Sequence, residues 1–353
     1  MKKLFFLFCI FLYTANAQAM NIDKQLLNEM LTTLNNEYLH EVDNPQLITN
    51  GLQFLHDMDS RFTDSKGPER IYIYHDNKIS AIIPFPKDIT DISAWTESIS
   101  SAMTAAGKMS EQIALKDYEL PDLFMKKMTE SLDKFSHYYS QYNYKEDEQH
   151  KSYYNLYSDR MIDEFLYIRV RIFNKQTTAR IKDSLQNNPE SKAVILDLRG
   201  NSGGILNEAL TTAGLFIDNA IITYTAARDG THQHYYTTEE NSIFEKPLII
   251  LVDGDTASAA EVLAAGLQEQ SRAKIIGTRT FGKGTIQNIT KMSNGGTLVL
   301  TTEQFFTPSG KVIHEHGVEP DICTEHDAEG GCSPQSRLDN EEDITAAQQL
   351  LLQ

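Results

Sequence analysis

The sequence predicts an α/β fold: a core of mixed, partly parallel sheets interleaved with helices, preceded by a mainly helical N-terminal region. Three observations carry this. The short apolar runs at 193–198 and 248–252 are each followed by a turn and an amphipathic stretch, the pattern of buried parallel strands joined by helices. Before residue 158 apolar residues recur mostly at helical spacing. After Gly282 the β-rich stretches 284–291 and 297–306 add further strands.

Taken in order, Leu26, Leu27, Met30, Leu31, Leu34 and Tyr38 form one helical face, and Met103 and the 121–134 stretch contribute others. Ile71 and Ile73, then Ile79, Ala81 and Ile83, alternate around His75-Asp76-Asn77 and predict a hairpin. Ser136 to Tyr157 is rich in Tyr and charge and reads as a linker. Phe165–Phe173 alternates like a strand, and Thr177–Leu185 follows as a helix. Gly200, Gly203 and Gly204 turn the chain from the 193–198 strand into a helix over Leu206–Phe216. Leu248–Val252 leads to a helix from Ser258 to about Gln270, and Lys274–Gly277 is a third buried strand. The tail from Asp339 begins with acids and ends in leucines, which gives a short helix with its charges at the favourable end. The expected division is 1–17 leader, 18–157 helical region with a hairpin, 158–322 α/β core and 323–353 acidic tail.

Lys2 and Lys3, the apolar run Leu4–Tyr13 and the small residues up to Ala17 have the order of a secretory signal peptide. Ten apolar residues are too few to span a bilayer, which needs about 20. Removal of residues 1–17 takes away Cys9 and leaves Cys323 and Cys332, which in an exported chain are expected to pair. The address that follows is periplasmic, with extracellular as the alternative. The 353 residues carry 49 acidic against 32 basic side chains, a net charge of -17. That sign repels phosphate backbones and excludes nucleic acid as a partner. A mean hydropathy of -0.39 excludes a polytopic membrane protein. Ten of the acids lie between Val312 and Gln353 against the single Arg337, an excess that reads as serving solubility.

The glycine-rich segments do not make a nucleotide site. Gly277–Gly284 resembles a P-loop, but Gly284 stands where Mg²⁺ coordination needs Ser or Thr, and a strand pattern follows it. Gly200-Asn-Ser-Gly203-Gly204 lacks the dinucleotide spacing. The pairs His232/His234 and His314/His316 have no companion ligands at metal spacing and read as exposed. No metal and no cofactor is expected.

Ser258 sits where a buried strand feeds a helix. Ser258-Ala-Ala-Glu261 is a capping box, which alone accounts for a serine there. The same place suits a nucleophile, because a helix N-terminus favours developing negative charge. A serine nucleophile needs a base, and Lys283 between Gly282 and Gly284 is a candidate, since burial lowers a lysine pKa toward neutrality. An exposed turn lysine fits the same residues, and the chemistry of the two side chains does not choose.

At these residues the chain resembles the C-terminal processing (tail-specific) serine peptidases. Tyr167–Asn174, Asp197-Leu-Arg-Gly-Asn-Ser-Gly-Gly204, Val252–Glu261, Gly277–Gln287, Phe305–Gly310 and Gly317–Asp321 match that family's blocks in order, over Phe165 to Ile322. The resemblance implies a crotonase/Clp-protease-like core, Ser258 as nucleophile, Lys283 as general base and Gln287 as the residue that orients the lysine. The N–H of Ala259, with that of Gly204 or Gly203, would form the oxyanion hole. The implied activity is serine endopeptidase, acting on protein or peptide substrate through an acyl-enzyme. Homo-oligomers and adaptors stay open.

The family usually carries a PDZ domain that captures substrate C-termini. Here Leu132-Asp-Lys-Phe-Ser-His-Tyr-Tyr139, similar to the end of the family's helical part, is followed by the core strand within some 30 residues. The N-terminal region is therefore expected to shape the substrate cleft instead. The alternative function is a catalytically silent ligand- or peptide-binding protein on the same fold. An acyl-transfer or hydratase enzyme of crotonase type would want acyl-CoA contacts that the sequence does not offer.

Overall fold

Three aspartates begin three N-terminal helices by accepting N–H groups that a helix start leaves unpaired. Asp23 caps α1 (Lys24–Glu37), Asp43 caps α2 (Asn44–Leu52) and Asp91 caps α4 (Ile92–Met109). The computed structural model describes residues 20, 22–141, 156–237, 242–327, 330–338 and 340–353. The expected leader at 1–17 lies outside them. Short α3 (Phe54–Met58) leads into a three-stranded antiparallel sheet of β1 (Phe62–Lys66), β2 (Arg70–His75) and β3 (Lys78–Pro84). The predicted hairpin is β2–β3. Asp76 and Asn77 make its turn with φ of 49° and 60°, the left-handed pair that a two-residue hairpin needs. Then come α5 (Glu111–Ala114), α6 (Leu120–Glu130) and β4 (His137–Tyr139). This region has its own core, in which Leu27, Met30, Trp95, Ile99 and Phe124 are fully buried.

The second half carries β5 (Tyr157–Ile162), β6 (Phe165–Val170), α7 (Thr177–Asn187), β7 (Ala193–Asp197), α8 (Leu206–Gly214), β8 (Ile221–Ala227) and β9 (His232–Tyr236). It continues with β10 (Leu248–Val252), α9 (Ala259–Glu269), β11 (Lys274–Gly277), β12 (Thr285–Lys291), β13 (Thr297–Phe306), β14 (Ile322–Cys323) and α10 (Glu341–Leu351). Its main sheet has the order β14-β11-β10-β7-β6-β5, parallel except at β5. Both faces are covered, which is why β10 is apolar throughout and β7 is apolar up to its last residue, Asp197. Val194 and Leu196 pack with α8 and α9, while Ala193 and Ile195 pack with Ile344 and Ala347 of α10. The second sheet is antiparallel, in the order β12-β13-β8-β9, with β4 added to β13. Leu298 and Leu300 of β13 belong to the N-terminal core, so that strand joins the two regions.

Three expectations need correction. The 136–157 stretch does not begin as a linker: His137–Tyr139 pairs with Thr297–Val299 of β13, and 142–155 lie outside the described residues. His314 is half-buried rather than exposed, because the backbone of its loop packs against Gly284, where a Cβ would lie 2.3 Å from His314 N. The acidic tail is not solvated throughout, although Glu325, Glu341 and Glu342 are exposed. Asp343 is 0% exposed and pairs with Arg199 at 2.9 Å and Arg337 at 3.1 Å. The tail docks because the buried Arg199 of the core needs a counter-charge, which Asp343 supplies. The Cys323–Cys332 disulfide closes the loop that leads into it.

Candidate active site

Strand β10 ends at Val252, and the loop 253–258 delivers Ser258 to the start of α9. Ser258 has φ 57° and ψ -123°, a region costly to any residue with a side chain. A sharp strand-to-helix turn of this kind lifts a serine hydroxyl away from the sheet. The glycine that gives the turn room is remote in sequence. A Cβ on Gly203 would lie 2.8 Å from Ser258 Cβ and 2.9 Å from Ala257 O, so only glycine lets the two loops touch.

The two loops are laced together. Ala257 N–H donates to Asn201 O at 2.8 Å, and the Thr256 hydroxyl donates to Leu198 O at 2.9 Å. Asp253 Oδ1 accepts the N–H of Gly200 at 2.9 Å, and its Oδ2 accepts the N–H of Arg337 at 2.9 Å. Gly254 N–H donates to Gln335 O at 2.7 Å. The C-terminal segment thus underpins the loop that carries Ser258.

Of the candidate oxyanion donors, Gly203 N–H is committed to Asn201 Oδ1 at 2.8 Å. Gly204 is exposed, with φ 125° and its backbone against Phe173, and among the described residues its N–H has no acceptor. Ala259 opens α9, where a backbone N–H has no intrahelical partner.

Lys283 lies in the loop between β11 and β12. Its amine sits 5.1 Å from the centroid of Phe135, and burial pushes its pKa down. Glu261 joins this loop to Ser258. Fully buried, it accepts the N–H of Ser258 at 2.8 Å and of Lys283 at 2.8 Å on Oε2. Its Oε1 accepts the N–H of Gly282 at 2.7 Å and the hydroxyl of Thr280 at 2.5 Å. Burial raises the Glu261 pKa against the opposing pull of these donors. The sequence had assigned Glu261 only a capping role. Its second set of partners comes from a distant loop, a relation with no local signature.

The structure brings Ser258, Ala259, Lys283 and the Gly203–Gly204 turn together. Gln287 is on β12, and its amide donates to Thr285 Oγ1 at 2.9 Å and Thr301 Oγ1 at 3.3 Å, not to Lys283. Strand β12 starts after Lys283 and is irregular at Ile286/Gln287, so a count of four along one strand does not relate the two side chains. Exposed Phe281 (55%) and Ile205 (40%) stand beside the lysine loop and the glycine turn. The region thus offers an amine whose charge burial disfavours, the first N–H of a helix and exposed apolar side chains. Among the described residues no metal-binding group of His, Cys, Asp and Glu occurs. No described helix is long and apolar enough to cross a membrane.

Peptidase family S41 matches residues 164–324 of the chain. A carboxyl-terminal-processing protease of Synechocystis is 37% identical over 161 residues, which cover 45% of this chain and 38% of that protein. Carboxy-terminal processing protease CtpA of Bacillus subtilis is 35% identical over 173 residues, or 48% and 37% of the two. The chain matches well under half the length of these curated relatives. A solved lipoprotein structure from Streptococcus agalactiae is 18% identical, with a TM-score of 0.54 over 90% of this chain and 99% of that one. The similarity there is one of fold.

Proposed function

We propose, on the premise that residues 164–324 match peptidase family S41, that the chain is an exported serine endopeptidase that cleaves flexible or unfolded protein segments. Ser258 attacks the scissile carbonyl while Lys283, as a neutral amine, takes its proton and then passes it to the leaving amine. The N–H groups of Ala259 and Gly204 hold the oxyanion, and water releases the acyl group from Ser258. Positioned proton transfer is worth ~10²–10⁴-fold and an oxyanion donor ~10²–10³-fold. Gln287 acts through Thr285 and Thr301, steadying the strand that follows the base.

The observation that carries this reading is the shared carboxylate of Glu261, which binds the backbone of both Ser258 and Lys283. The strained φ of Ser258 adds support, since such strain persists where function needs it. Export rests on the N-terminal 1–17 pattern and on the Cys323–Cys332 disulfide, which suits an oxidising compartment such as the periplasm.

The test compares the chain with Ser258→Ala and Lys283→Ala on a disordered protein substrate. Fragments from the unmodified chain and none from either variant are expected. The same fragments from all three, or none from any, would sink the reading.

A further inference from the structure

Phe135 belongs to the N-terminal region, yet its ring faces the Lys283 amine at 5.1 Å and meets the ring of His314 at 6.1 Å. The turn that presents it is fixed in place. Asp133 Oδ1 accepts the N–H of Phe135 at 2.7 Å and of Ser136 at 2.9 Å, and Oδ2 accepts the Ser136 hydroxyl at 2.6 Å. Ser136 Oγ in turn accepts the N–H of Thr301 at 3.0 Å, and the Thr301 hydroxyl donates to Asp133 at 3.2 Å. Thr301 also takes the amide of Gln287. The turn is therefore bound to β13, whose partner β12 runs directly on from the lysine loop.

We propose that Phe135 is a positioning residue for the base: it lids the Lys283 amine, withholds water from it and keeps it neutral toward Ser258. This rests on Lys283 being the general base. Two effects of the ring oppose each other. Its face attracts an ammonium, which favours the charged form. Its bulk dehydrates the ammonium, and burial can bring a lysine from about 10.4 to as low as about 5–6. The second effect is larger, and the downward direction at Lys283, caused by burial alone, agrees. The titratable groups on the surrounding elements are Glu261 on α9, Tyr38 and Asp133 from the N-terminal region, and His314 and Glu315 after β13. Among the described residues none forms an ion pair with this amine, and Lys134 beside Phe135 is exposed.

The test reads Lys283 ionisation directly, by competitive acetylation across pH with mass spectrometry, beside the pH profile of kcat/KM. Phe135→Ala should move both upward by about one pH unit, lowering kcat/KM near neutrality about tenfold with KM little changed. Phe135→Leu, which keeps the apolar bulk, should restore most of the original profile. If alanine proves unstable in thermal melts, Phe135→Val supplies the comparison. An unmoved or lowered Lys283 ionisation in the smaller variants overturns the proposal, as does leucine behaving like alanine. Full activity in Lys283→Ala overturns the base assignment and this role with it. An inactive Lys283→Ala beside an unshifted Phe135→Ala overturns the role of Phe135 alone.

Discussion

The backbone N–H groups of Ser258 and Lys283 converge on one oxygen of Glu261, each at 2.8 Å. Replacing that carboxylate by an amide, Glu261→Gln, swaps one acceptor oxygen for a donor and leaves buried N–H groups unpaired. A stability loss of about 2–3 kcal/mol is expected, together with a fall in kcat/KM of at least about tenfold. Chemical denaturation and a peptidase assay measure the two. A variant that matches the parent in both would remove Glu261 from the site.

Burial disfavours the charged amine of Lys283, so its pKa lies below that of free lysine. A base must be neutral to accept a proton. Activity is therefore low at acid pH and rises as pH passes upward through the lowered value. The kcat/KM profile should rise well below about 10.4. An onset at the free-lysine value would argue against a buried base.

Ser258 holds φ 57° and ψ -123°, which glycine adopts without steric cost. Ser258→Gly should abolish activity yet stabilise the fold by about 1 kcal/mol, the relief of strain outweighing the added freedom of the unfolded chain. Urea melting of the variant checks this. A loss of stability of similar size would show that the turn carries no releasable strain.

Asp197 is fully buried. Burial itself raises its pKa, but hydrogen bonds and charge from Arg199, with Tyr167 and Arg169, bring it below the ordinary value. A depressed carboxyl contributes stability that is present above the unfolded pKa of about 3.9 and is lost as pH falls through the folded value. Urea midpoints should accordingly drop steeply below about pH 4. Asp343→Asn, which removes the tail's charge from Arg199 and Arg337, should cost about 3 kcal/mol at neutral pH. A midpoint unchanged by that substitution would mean that the tail docks through its leucines and alanines alone.

The sequence made the parallel core readable because strands covered on both faces must be apolar, as 193–196 and 248–252 are. Lys274–Gly277 and Thr297–Phe306 were found at their full extents. It hid β9, where His232, Gln233, His234 and Tyr236 are exposed and no face is cleanly apolar. Edge strands β5 and β4 were lost among polar and aromatic residues for the same reason. The site was legible where local order expresses it, as at Ser258 before a helix and Lys283 between glycines. The contacts of Glu261 with Thr280–Lys283, of Phe135 with Lys283 and of Arg199 with Asp343 were not, because each exists only once distant segments meet. Gln287 shows the limit of counting along a strand: one irregularity changes which neighbours an amide reaches.

The segment that holds Asp253 and Gly254 through Arg337 and Gln335 follows them far along the chain, with 84 residues separating Asp253 from Arg337. Synthesis runs from the N-terminus, so a nascent chain halted before Gln335 already contains Ser258, Lys283 and Glu261 but lacks the strap beneath their loop. The Cys323–Cys332 disulfide closes a loop just ahead of this strap. Support of the loop that bears the nucleophile thus has a built-in order: the 335–337 segment, made after both Ser258 and Lys283, completes it.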